Sequence, residues 1–342
     1  MIFRPPPFRI PGPRLIYAVF EDRLQIWSAN ANGIKSIPVK IKQSDLEGRI
    51  NEFALECATP PTQHDSMDYL RKIGQPLGSL FLQPVLAELE TARTITVELD
   101  PRLSRLPLIA LILPNGHYFG QDYAITRSPG LFLDTDLRAA ESIPLDSSVL
   151  LAFGAPTTGE GRLPKQDQDE VKRTVREVFT KAKVKSVEQD SWIEVSRELK
   201  NHEVFVFFGH GVPEGTHTAL VYGKVLLNAN DFPPAVLNRL RLVVVAACSS
   251  GAGGENPLQD SGTLVHAFLS AGVPSIIVSR WDVDSERTAA LLGSFFTHLG
   301  KNETIPQALY HARNESRASR ERGQDYSHPY FWAGLELVGR SN

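Results

Sequence analysis

The sequence is poor in the residues that would tie a chain together covalently: its 342 residues include 2 cysteines, Cys57 and Cys248. They lie far apart in unlike contexts, which excludes the disulfide framework of small secreted domains and points to a reducing compartment. Long apolar runs are also missing. None approaches the ~20 residues needed to span a bilayer, so no membrane partner is expected. There is no excess of positive charge either, with 36 Lys and Arg against 39 Asp and Glu and a net charge of −3. Direct nucleic-acid binding driven by a global basic field is therefore excluded. The opening MIFRPPPFRIPGPRL interrupts its apolar residues with prolines and has no apolar h-region, unlike a signal peptide. These absences lead to the expectation of a cytoplasmic protein. No tandem period marks a solenoid.

What is present is an ordinary globular composition, 42% hydrophobic and 22% charged. Residues 1–14 read as a Pro-rich extended arm. From Leu15, the runs LIYAVFEDRLQIW and IKSIPVKIK read as strands, with a turn at Asn32-Gly33 between them. Ser44 and Glu47 form a capping-box pattern ahead of Leu46, Ile50, Phe53 and Ala54 at helical spacing. A second helix is expected over 67–90 and a strand over 94–99. Residues 15–105 thus form a smaller N-terminal α/β region.

Residues 106–342 alternate short apolar runs with amphipathic helices. The strands are VLLAFG (149–154), VKSVEQ (184–189), VFVFFG (204–209), LRLVVVAAC (240–248) and PSIIVSRW (274–281). Helices are expected over 168–181, 192–200 (with Ser191 and Glu194 as a second capping box), 261–271 and 285–299. Nearly continuous apolar strands suit a mainly parallel sheet covered on both faces, an α/β sandwich.

Two strand ends lead a reactive side chain into a glycine-containing loop: VFVFFGHG with His210, and LVVVAACSSGAGG with Cys248. In an open parallel sheet, catalytic groups collect outside the carboxyl ends of the strands. If the two strands are neighbours, an imidazole stands beside a thiol. A free thiol has a pKa of about 8.5 and is mostly protonated at neutral pH, so a histidine that accepts its proton raises the nucleophilic fraction. Gly211 lets a substrate come close, and the amides of Gly211 and Cys248 are the candidate oxyanion hole. On its own, Cys248 reads as a small buried hydrophobe rather than a nucleophile. The coincidence of the two residues at two core strand ends is what favours chemistry.

LVVVAACSSGAGG, GTLVHAFLSAGVPSIIVSRWDVD and HPYFWAGLELVG closely resemble the caspase-like CHAT peptidases, relatives of separase. VFVFFGHG, LPLIAL and NGHYFGQDYAITRSPGL extend the resemblance upstream. It implies a caspase-like three-layer α/β sandwich with a His/Cys dyad, mapping to His210 and Cys248, that cleaves a protein substrate. It also implies regulation by a sensor or a partner containing TPR repeats, in bacterial signalling or defence. The competing expectation is a CHAT-like scaffold that acts by protein-protein interaction alone. Two positions depart from arginine-binding relatives. Ala246 stands where metacaspases have an acid two residues before the nucleophile, and Ala289 where separase has its P1-binding aspartate. A small or apolar P1 residue is therefore favoured. Asp260, Asp282, Asp284 and Glu286 are the remaining carboxylates that could line a substrate pocket, although Asp284 and Glu286 also suit a helix start.

No cofactor is expected. GAGGEN (251–256) lacks the Lys-Ser/Thr of a phosphate loop. His202, His210 and His217 bracket a strand and lack the further ligands of a zinc set, so no metal is expected. His328 and Trp332 read as core residues, and HARNESRASRERGQ as a solvated helix end.

Overall fold

The computed structural model describes residues 12–61, 66–89, 92–130, 142–156, 161–248, 263–282, 284–321 and 324–340. The first apolar run divides into β1 (Arg14–Val19) and β2 (Arg23–Asn30), and β3 (Gly33–Lys40) follows. The turn lies one residue earlier than expected. Asn30 accepts the Asn32 amide at 2.8 Å, and Gly33 opens β3 at φ +124, a conformation that glycine tolerates. Helix α1 (Gln43–Ala58) starts after Lys42, so the Ser44/Glu47 capping box does not form. Gln43 instead donates to Glu47 at 2.8 Å. Helix α2 (Ser66–Phe81) ends ahead of Pro84 and gives way to a 3-10 segment, Gln83–Glu88, where a single helix was expected.

The chain then forms β4 (Thr94–Leu99), β5 (Ala124–Arg127), β6 (Ser148–Gly154), α3 (Lys165–Val178), β7 (Lys181–Ser186), α4 (Trp192–Leu199) and β8 (Val204–Gly209). A small sheet follows, made of β9 (Gly211–Glu214), β10 (His217–Tyr222) and β11 (Val225–Leu227). After it come β12 (Leu242–Ala246), α5 (Leu264–Ser270), β13 (Ser275–Ser279), α6 (Ser285–Gly300) and α7 (Ile305–Ala318). The two-residue strands β14 (Arg320–Glu321) and β15 (Gln324–Asp325) precede β16 (Leu335–Gly339). Helix α3 begins three residues before its expected start because Pro164 sets its boundary, and β7 is displaced the same way.

Eleven strands make one sheet, in the order β3-β2-β1-β4-β5-β16-β13-β12-β8-β6-β7. Strands β13, β12, β8, β6 and β7 are mutually parallel, and β16 runs against β13 but along β5. Apart from β2, which runs against its neighbours β1 and β3, the strands of the two halves therefore point to opposite rims. In the C-terminal half, Val204, Val206 and Phe208 pack with α3, α6 and α7 on one face, while Phe205 and Phe207 pack with α4 and α5 on the other. Coverage on both faces explains the unbroken apolar strands and makes this half the expected three-layer sandwich. In the N-terminal half, α1 and α2 cover one face, and Trp281 and Trp332 reach into that same core.

The halves meet at β5 and β16, where Arg127 pairs with Val338. Charge reinforces this seam. The partly buried Glu336 carboxylate accepts from Arg127 at 3.2 Å and from Arg280 at 3.0 Å, and Arg280 also donates to the Ser104 carbonyl at 3.0 Å. Burial alone would raise the Glu336 pKa, but the Arg280 and Arg127 guanidiniums outweigh it and hold the carboxyl below the ordinary range. Arg313, expected on a solvated helix end, is buried and donates to the Leu335 carbonyl; burial lowers its pKa to about 10. Among the described residues, no helix is long and apolar enough to cross a membrane.

Candidate active site

Strands β8 and β12 are parallel neighbours, with Phe207 opposite Val245 and Phe208 opposite Ala246. Continuing that register by two residues brings His210 opposite Cys248, at the rim where the carboxyl ends of β6, β8, β12 and β13 open. The placement follows from sequence. Each strand is an apolar run that must be buried, each ends within two residues of the histidine or the cysteine, and the shared register aligns the ends.

The histidine backbone is held from both sides. Its amide donates to the Gly154 carbonyl at 3.1 Å and its carbonyl accepts from the Val221 amide at 2.9 Å. Its Nε2 is buried and has no hydrogen-bond partner among the described residues. Gly211 lies directly against the cysteine loop. A Cβ there would come 2.3 Å from the Cys248 carbonyl oxygen and 3.0 Å from Thr218 Cγ2, so only glycine permits this approach. A similar constraint acts at Gly209, where a Cβ would lie 2.2 Å from the Gly154 oxygen.

Ala246 and Ala247 are buried, and the chain emerges at Cys248, whose side chain is half-exposed. The other cysteine, Cys57, is fully buried in α1, and burial pushes its thiol pKa well up. A protonated, enclosed thiol is chemically inert.

The remaining candidates divide. Asp282 and Asp284 are exposed after β13. Both lie close enough to the Tyr330 hydroxyl, as does Cys248, for their charges to act on it. Burial chiefly, and then Asp284, Cys248 and Asp282, raise the Tyr330 pKa. Tyr330 thus marks the neighbourhood of the thiol. Sequence reading passed over it, and the only available signal was its place in the aromatic run HPYFW. Asp284 also caps α6, accepting the Arg287 amide at 2.9 Å. Glu286 is exposed and lies 3.5 Å from the Arg287 guanidinium, which stacks 4.2 Å over the Tyr326 ring. Ala289 is buried among Leu291, Leu292 and Phe295 in the core under α6. Asp260 and the glycines of 251–254 lie outside the described residues. His328 and Trp332 are buried, as expected of core residues. His328 accepts the Tyr330 amide at 3.2 Å, and burial pushes its pKa down to about 4.

Compared with known proteins, residues 71–340 match the sequence model of the CHAT domain. Among curated proteins compared by sequence, none matches. Two structures of the Saccharomyces cerevisiae separase-securin complex share the fold. One has a TM-score of 0.66 at 9% identity and the other 0.61 at 10%, each over 96% of this chain and 30% of that chain. The chain therefore spans about 30% of the length of those separase chains. A weaker likeness, TM-score 0.49 and 12% identity over 87% of this chain and 74% of that one, is to the Arg specific cysteine proteinase gingipain R.

Proposed function

Since the chain belongs to the CHAT domain family, a family of caspase-like cysteine peptidases, we propose that it is a cysteine endopeptidase with Cys248 as nucleophile and His210 as general base. His210 takes the thiol proton as the sulfur attacks a substrate peptide carbonyl. It returns that proton to the departing amine as the C–N bond breaks, leaving a thioacyl-enzyme. A water molecule, deprotonated by His210, then hydrolyses the thioester and restores the thiol. The amides of Gly211 and Cys248 are the proposed oxyanion donors, and each such donor contributes roughly 3 kcal/mol in enzymes where one has been removed. The observation that supports this reading most is the register that sets His210 opposite Cys248, with a half-exposed thiol and an imidazole nitrogen lacking another partner among the described residues.

The substrate is a protein segment bound as an extended strand, with main-chain pairing for affinity and side-chain pockets for selection. A small or apolar P1 residue fits best. Both positions that carry acids in arginine-binding relatives hold alanines here, Ala246 and Ala289, and both are buried in the core. Asp282 and Asp284, exposed after β13, are the proposed carboxylates of the substrate pocket. The peptidase acts in the cytoplasm, consistent with two unbridged cysteines, and answers to a sensor or TPR-containing partner in bacterial signalling or defence.

The test is incubation with candidate protein partners, comparing wild type with Cys248→Ala and His210→Ala and mapping any cleaved bond. Loss of cleavage in both variants supports the dyad. Cleavage that survives either substitution contradicts it, and no cleavage of any candidate favours the scaffold.

A further inference from the structure

A cavity of about 640 Å³ lies one strand away from His210, beyond the carboxyl ends of β6 and β7 and against α3. Its wall carries five cations, Arg162, Lys165, Lys172, Arg176 and Lys185, against two acids, Asp169 and Glu188. Three of the cations, Lys165, Lys172 and Arg176, recur seven and four residues apart on one stripe of α3. None of these three makes an ion pair among the described residues. Elsewhere on the same helix, Arg173 is held by Glu170 at 2.7 Å and by Glu177 at 2.9 Å. Lys185 is likewise matched by Asp190 at 2.6 Å.

The helix thus neutralises an arginine that faces solvent and concentrates at the cavity cations that make no ion pair among the described residues. Like charges at i,i+4 spacing, such as Lys172 and Arg176, cost helix stability unless an anion offsets them. The volume falls within the roughly 300–1,000 Å³ of small-molecule sites and suits a compact ligand.

We propose that this cavity binds a small polyanion carrying two or more phosphate groups. Lys165, Lys172 and Arg176 contact it from the helix. Phe153 and Ala155, on the other flank, belong to the strand end whose Gly154 carbonyl fixes the His210 amide at 3.1 Å. The ligand therefore touches the segment that holds the histidine loop.

Calorimetric titration of inorganic tripolyphosphate into the full chain tests this without any need for peptidase activity, so failure here leaves the dyad reading standing. One saturable site per chain is expected, with affinity falling about tenfold in Arg176→Gln and staying unchanged in Arg173→Gln. The two variants remove the same charge from the same helix, and only one of them alters the cavity. Absence of saturable binding, or an equal loss in both variants, would overturn the proposal.

Discussion

The N-terminal and C-terminal halves of the sheet each hold one cysteine, and they treat it in opposite ways. Cys57 sits on α1 with its side chain wholly inside a core, one more small apolar contact among Leu46, Ile50 and Phe53. Cys248 stands two residues past the end of a buried parallel strand, half-exposed, where the continued register brings it level with a histidine just past the end of the neighbouring strand. Both thiols belong to the same chain, one on a helix and one just past a strand. What separates them is strand direction and position: among the described residues, only the C-terminal half leads two adjacent parallel strands to one rim with a histidine and a cysteine. The N-terminal half contributes support, since its core encloses Trp281 and Trp332, which flank the Asp282–Tyr330 side of the site.

Substitution of each cysteine is the sharpest way to break this comparison. Cys248→Ala should lower cleavage of a true substrate by at least about a thousandfold without changing thermal stability, because it removes the proposed nucleophile, a half-exposed side chain. The seam between the halves comes next. Glu336→Gln leaves Arg127 and Arg280 buried without their carboxylate and should cost about 3–5 kcal/mol in denaturant unfolding at pH 7. Because the folded Glu336 pKa is depressed, its contribution is present above the unfolded carboxyl value of about 4.3 and is lost as pH falls through the folded value. The difference between wild type and variant should therefore shrink in acid; a gap independent of pH would show that the charge does not hold the seam.

His328 should have a smaller effect in the same direction, at higher pH. Its folded pKa of about 4 lies below the unfolded 6.5, so its contribution is complete above pH ~6.5 and is lost as pH falls toward 4, up to about 3 kcal/mol. His328→Asn keeps an acceptor for the Tyr330 amide and removes the titration, so unfolding of the variant should be flatter over that window. Smallest of all, Cys57→Ala should cost only about 1 kcal/mol and leave cleavage intact. If it abolished activity, the division between structural and reactive thiol would fail.

Much of this was legible in the sequence because the controlling signals are local. The runs VFVFFG and LVVVA are apolar on both faces, so burial dictates where they lie and His210 and Cys248 mark where they stop. The Ser191/Glu194 capping box forms as its spacing indicates, with the Glu194 amide donating to Ser191 Oγ at 3.4 Å. Ser44 and Glu47 have the same spacing and fail, because the helix has already begun at Gln43. Contacts that depend on distant chain segments were not legible. Arg313 sits in a run of charged residues and is buried against β16, and Tyr330 comes within electrostatic range of Cys248 only through the folded chain. Nor does any local pattern reveal that Glu336 will meet Arg127 and Arg280 from two other strands.

The central claim is that His210 activates Cys248, and it can be tested without knowing the substrate. The measurement is the rate of iodoacetamide alkylation at Cys248, followed by peptide mass mapping at neutral pH in a Cys57→Ala background. The expected result is a rate about tenfold lower when His210 is replaced by Ala; an unchanged rate would contradict the dyad.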